Sequence, residues 1–294
     1  MKRARGWCLG LLVAAAGCAP GEGTLQATME SEESIVDGIG PAVAGRPGGM
    51  ADGWTLRYER FYINLGHFRV ADEDGATVTI PAEYAAGEQV YDLRNEIGAV
   101  LFTVPATARR YGQVGFRNAA ASASTRFSQS IPMADRAAMM GVSTWVTGVA
   151  TKAGRTVRFD WQFREGWEYT NCQGPASRPG PGTVVREGGV TPLRISIHGE
   201  HYYWQSLGES GASRFDVIAN ADTNSAPYQG DGDGLVTLDE LDRVGLASIP
   251  AADGTFTPNG RPVTTLGDFM RWTTGTNAHI DGDGVCRGRR IATP

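Results

Sequence analysis

Between residues 219 and 241 the sequence ANADTNSAPYQGDGDGLVTLDEL crowds oxygen-bearing side chains around glycines. Asp222, Asn224, Gln229, Asp231, Asp233, Thr237 and Glu240 offer carboxylate, amide or hydroxyl oxygens, and the carbonyl of Leu235 adds a backbone oxygen. Oxygen donors at this density are the ligand set of calcium. A second set is softer. His198 and His201 lie in IHGEHYYW, and His279 opens the run HIDGDG. Imidazoles suit zinc or copper. Residues three apart on an uninterrupted strand face opposite sides, so His198 and His201 converge only if the chain turns at Gly199. If it turns, and His279 is brought near, two or three imidazoles could hold a metal, with Glu200, Asp281 or water completing the shell. Otherwise these histidines hydrogen-bond across the fold.

The elements flanking the oxygen-rich stretch would position it. Phe215, Ile218 and Ala219 recur at helical spacing, so 214–221 is expected as an entering helix that delivers Asp222. Thr237 and Glu240 have the spacing of a capping box, followed by Leu241 and Val244 as the buried face of an exit helix. Helix, glycine-bearing acidic loop and helix together resemble the EF-hand of calcium-binding proteins. With Glu240 as the twelfth loop residue, Gly234 takes the sharp turn at six, and Asp231, Asp233, Leu235 and Thr237 fall at three, five, seven and nine. The first ligand is then Gln229 in a compact loop. In an expanded loop, Asp222 and Asn224 are the first two ligands and 226–232 is an insertion.

The N-terminal segment is expected to direct the chain out of the cytosol, which decides how the cysteines are read. There are four, Cys8, Cys18, Cys172 and Cys286. Residues 1–17 have a basic start, an apolar run and a small-residue finish, which is a secretory signal. Its end, AAGC, resembles the lipobox of bacterial lipoproteins, which implies lipidation at Cys18, a membrane partner through that anchor, and a cell-envelope location, the outer membrane given Ala19. Cys172 and Cys286 remain, and in an exported protein such a pair reads as a disulfide, stabilising by on the order of 4 kcal/mol.

The rest reads as a mainly β protein. Residues 54–70 alternate with a change of face, as a strand with a bulge or break; 77–80, 99–104 and 111–116 are shorter candidates. Val157, Phe159, Trp161 and Phe163 alternate strictly, pair with 145–151 across a turn at 152–155, and Leu193, Ile195 and Ile197 repeat the pattern. Helices are expected at 133–140 and 265–274. The fold class expected is an antiparallel β-sandwich with a C-terminal helical extension. The organisation is a signal over 1–17, a flexible tether over 18–50, a β-sandwich over 51–207 and a calcium-binding extension over 208–294.

Several functions have no support. The formal charge of −5 becomes −8 once Lys2, Arg3 and Arg5 leave with the signal, which argues against nucleic acid. No H-E-x-x-H, G-x-S-x-G, phosphate-binding or dinucleotide-binding glycine motif is present, and no nucleophile is paired with a base. Carboxylate pairs such as Glu32 and Glu33 read as solvated surface. The sequence therefore points to a non-catalytic, lipid-anchored calcium-binding module. The alternatives are a copper or zinc protein using the three histidines, and a surface carbohydrate-active protein with Tyr202, Tyr203 and Trp204 as its pocket.

Overall fold

Alternation along 156–163 yields the strand it promises: Val157, Phe159, Trp161 and Phe163 are buried and the residues between them face outward to differing degrees. The computed structural model describes residues 21–45, 48–208 and 212–292; the expected signal segment and Cys18 lie outside the described residues. In chain order the elements are β1 (Glu22–Ser31), α1 (Glu33–Val36), β2 (Thr55–Ala71), α2 (Ala82–Ala85), β3 (Glu88–Asp92), β4 (Val100–Thr107), β5 (Arg110–Tyr111), β6 (Gln113–Asn118) and β7 (Arg126–Phe127). There follow α3 (Met133–Ala138), β8 (Thr144–Lys152), β9 (Arg155–Phe163), β10 (Gly166–Thr170), β11 (Thr183–Val184), β12 (Val190–Ile197) and α4 (Asp216–Ala221). The chain ends with β13 (Leu235–Thr237), α5 (Leu238–Arg243), α6 (Leu266–Thr273), β14 (Ala278–Ile280), β15 (Gly284–Val285) and β16 (Arg287–Ile291).

The protein is mainly β, a sandwich-like arrangement with few helices. One large sheet has five strands in the order β15-β14-β12-β1-β4; the other has nine, with the path β13-β9-β8-β2-β6-β10-β16, β3 branching from β2 and β7 pairing with β3; β5 and β11 form a separate two-stranded sheet. Inward side chains of both sheets form one core: Leu25, Met29, Leu193 and Ile195 from the smaller sheet, and Phe61, Val146, Phe159 and Trp161 from the larger. Pairing is mostly antiparallel, but β1–β12, β9–β13 and β3–β7 run parallel. β2 is a single long strand with register shifts after Tyr58 and after Gly66, where the sequence suggested a bulge or break. Residues 77–80 form only an isolated bridge at Thr77 and no strand.

Two boundaries differ from the expectation. The described part of the supposed tether, 18–50, carries β1, which lies between β12 and β4 with Leu25, Ala27 and Met29 fully buried. Its small and polar residues hide a strand because both of its edges are hydrogen-bonded. The supposed extension, 208–294, is not separate: β14 and β15 join the five-stranded sheet, and β13 and β16 are the two edges of the nine-stranded one. The Cys172–Cys286 disulfide is present and ties β10's end to the segment between β15 and β16.

Candidate metal centre

Three strand ends and one turn build the histidine cluster. β1 and β12 run in parallel with Ser31 opposite Ile197, so both end together, and the next residues, Glu32 and His198, become neighbours. β14 pairs antiparallel with β12, Ser196 facing His279, which sets His279 beside His198. Gly199 is helical in backbone and opens a 3-10 turn over Glu200–Tyr203 that swings His201 back over His198. A side chain at Gly199 would meet Ile35 Cγ1 at 2.7 Å, and its carbonyl accepts from Tyr58 Oη at 2.6 Å, so the turn is clamped. The ring centroids lie 4.9 Å apart for His198 and His201, 4.4 Å for His198 and His279, and 5.3 Å for His201 and His279. The condition that the chain turn at Gly199 is met, and sheet register rather than the disulfide alone brings His279 in.

The three imidazoles differ electrostatically. His198 Nδ1 lies 2.9 Å from Glu200 Oε1, and its Nε2 3.3 Å from the Gly282 carbonyl and 3.6 Å from Glu32 Oε1. Burial alone would discharge this ring, but the Glu200 hydrogen bond and the charges of Glu200 and Glu32 outweigh it and hold its pKa above the ordinary value. Glu200 is likewise held below the ordinary carboxylate range, its burial overcome by His198. Burial pushes His201 down to about 3 and His279 down to about 4, with the other rings adding repulsion. His279 Nε2 donates to the Thr276 carbonyl at 3.0 Å, which leaves Nδ1 as the bare nitrogen of a neutral ring. That Nδ1 and His201 Nδ1 are both buried without a hydrogen-bond partner. The indole of Trp204 stacks on His201 with centroids 3.6 Å apart.

His198, Glu200 and His201 offer ligand atoms that all lie within 4.8 Å of one another, an arrangement compatible with metal binding. Of the other ligands anticipated, Asp281 is not available: its carboxylate pairs with Arg178 and accepts from Arg194 N. Glu32 and Asp283 border the cluster instead. Glu32, read from sequence as solvated surface, is partly buried, and that burial raises its pKa. Only its place at the end of the unrecognised β1 could have revealed it. Tyr202 and Tyr203 are fully buried core residues, so no sugar pocket forms from the Tyr202 to Trp204 run; Trp204 alone lines the cavity.

The oxygen-rich loop also folds as a cluster. Asp222, Asp231 and Asp233 offer oxygens within 4.8 Å of one another. Asp222 Oδ1 accepts from Gly234 N at 3.2 Å, Asp231 Oδ1 from Asp233 N at 3.1 Å, and Asp233 Oδ1 from Leu235 N at 2.8 Å. Thr237 and Glu240 form the expected capping box, and Glu240 Oε1 accepts from Asp231 N at 3.3 Å. Asn224 and Gln229 are exposed, and the backbone carbonyl of Gln229 accepts from Arg243. Asp222 thus joins the expanded loop to the compact loop's Asp231 and Asp233. Asp281 and Gly282 have φ of 52° and 84° and form the hairpin turn between β14 and β15.

Fold and sites together define a mainly β protein with two clusters of side chains compatible with metal binding, one imidazole-rich and one carboxylate-rich. No family model and no curated protein matches the chain. Among solved structures it is similar to MbnP from Methylosinus trichosporium at 12% identity and a TM-score of 0.33, over 88% of this chain and 97% of that one.

Proposed function

We propose that this is a non-catalytic metal-binding protein that holds copper or zinc at His198, His201 and His279, with Glu200 as an oxygen ligand. The observation that carries the reading is the pair of buried, unpartnered nitrogens, His201 Nδ1 and His279 Nδ1, within a cluster of three imidazoles. A buried polar atom left unpaired costs about 1–3 kcal/mol. His198, Glu200 and His201 already hold ligand atoms within 4.8 Å of one another, His279 lies outside that set, and an ion on which His279 closed would satisfy both nitrogens. Burial already keeps these two rings deprotonated, as ligation requires. At His198 a metal's charge would stand in for the proton that Glu200 and Glu32 favour there. Imidazole donors with one carboxylate suit both ions, and at equal availability copper(II) binds the tighter.

The test is elemental analysis of untagged protein dialysed against metal-free buffer after loading. One copper or zinc per chain, lost in His279→Ala, supports the reading. A protein that retains neither ion refutes it.

A second reading stands beside the first: calcium in the Asp222 to Glu240 loop, as a structural ion. It is favoured by the Asp222 carboxylate reaching the Gly234 amide, which brings a first-position carboxylate to a loop that otherwise offers Gln229. Cys18 as a lipid-bearing residue would hold the protein at the cell envelope, at the outer membrane by the resemblance of its surroundings to lipoprotein signals. Among the described residues no helix is long and apolar enough to cross a membrane.

A further inference from the structure

The cavity over the histidine cluster has a volume of about 640 Å³. A water molecule occupies about 30 Å³ of liquid, and pockets of roughly 300–1,000 Å³ are those that enclose small organic ligands. A bare ion with a water or two fills a small part of this one.

Its walls carry charges of both signs. Glu32 and Asp283 stand on the lining with His198, whereas Arg261 and Arg287 supply positive charge to the same lining. Arg261 belongs to the end that continues into a notch beside Trp272, and its guanidinium lies over that indole at 5.2 Å. Neither Arg261 nor Arg287 has a carboxylate partner among the described residues. Their neighbours do: Arg289 pairs with Glu168, Arg290 with Glu165 and Arg271 with Asp242. Two exposed arginines on the lining of one cavity, neither with a carboxylate partner and Arg261 held only against the Trp272 indole, are suited to a carboxylate from outside.

We propose that the pocket takes its metal together with a small carboxylate-bearing chelating anion, the ion entering the histidine cluster while a carboxylate of the chelator pairs with Arg261 and Arg287. The inference rests on the transition-metal reading above. No covalent step is involved; the chelator exchanges some of its metal bonds for imidazole.

The test uses the exported chain, the ion found in the dialysis experiment, and two probes, isotopically labelled citrate and labelled free histidine. Equilibrium dialysis and native mass spectrometry would follow metal and label together. Wild-type protein should retain one equivalent of at least one probe with the metal and none without it. The double variant Arg261→Ala/Arg287→Ala should bind metal from its sulfate salt as tightly as wild type, yet lose labelled chelator at least tenfold. Both arginines are exposed, and a thermal melt matching wild type would confirm folding. Metal retained with neither probe, or equal label on the double variant, overturns the proposal and leaves the metal site standing. Failure to bind metal from the sulfate salt overturns the metal reading and the proposal with it.

Discussion

His198 and His279 stand with ring centroids 4.4 Å apart because Ser196, two residues before His198, is paired with His279 across β12 and β14. The pairing is backbone geometry, so the ring of His279 is delivered by the sheet and not by a flexible tail. Its Nε2 is spent on the Thr276 carbonyl, and only Nδ1 is free to face the other rings. As the ligand proposed above, a ring fixed in this way would need little ordering when an ion arrives.

His279→Ala should therefore cost more than the roughly 10–100-fold loss of affinity typical of removing an outer-shell partner. His67→Ala, at a distant bend of β2 where the ring pairs with Glu88, should leave metal affinity unchanged. Competition titration against a chromogenic chelator measures both. Equal affinity of His279→Ala and wild type would remove His279 from the site.

The metal-free protein should lose stability as pH falls from about 6.5 towards 4. His201 and His279 have folded pKa values of about 3 and about 4, below the unfolded value near 6.5, so in this window the unfolded chain takes up protons that the folded chain refuses. Each ring contributes a slope of up to about 1.4 kcal/mol per pH unit. His198, raised by Glu200 and Glu32, acts with opposite sign, giving stability that is present below the unfolded pKa and lost as pH rises through its folded one. Two depressed rings against one raised ring leave a net loss on acidification. Urea unfolding at pH 7, 6 and 5, repeated on His201→Gln/His279→Gln, checks it; the double variant should show a shallower slope.

How much of this was legible depends on how local each cause is. β9 could be read because Val157 to Phe163 alternate without interruption, and α6 because Thr265 caps Asp268 N ahead of Leu266, Phe269 and Met270. The capping box at Thr237 and Glu240 is local too, and it formed as expected. β1 is hard to read because its buried face carries only Leu25, Ala27 and Met29 within a Gly-, Ala- and Glu-rich segment, and it becomes a strand only between β12 and β4. β16, RGRRI, carries three arginines and forms by pairing with β10 at a sheet edge. Glu32 and the approach of His279 depend on the register of such strands, which is set by contacts between distant parts of the chain. The imidazole types were visible in sequence; their convergence was not.

Calcium should raise the melting temperature, and the pattern of variants should separate the two loop readings. Asp222→Ala and Asp233→Ala should abolish the increase, because their carboxylates converge with Asp231. Asn224→Ala and Gln229→Ala should leave it intact, both side chains being exposed. At calcium a hundredfold above its Kd the stabilisation is about 2.7 kcal/mol. Thermal melts with calcium and with chelator decide the matter. Loss of the effect in Gln229→Ala would restore the compact loop, and no shift in wild type would end the calcium reading.

Reducing the Cys172–Cys286 disulfide should destabilise the protein and loosen the metal cluster by different amounts. A crosslink spanning 114 residues removes unfolded-state entropy worth on the order of 4–5 kcal/mol, so denaturant unfolding of Cys172→Ser/Cys286→Ser should show a loss of that size. The cluster should suffer less, because His279 is held by the β12–β14 ladder and its Thr276 hydrogen bond, neither of which passes through the sulfurs. Cys286 nevertheless borders the cavity, and its freed thiol would stand near the histidines, so the serine pair rather than chemical reduction is the clean comparison. Metal affinity of the folded double variant within about tenfold of wild type, a difference of 1.4 kcal/mol, would mean that strand register positions the imidazoles. A collapse of affinity in a variant that remains folded would assign that task to the disulfide.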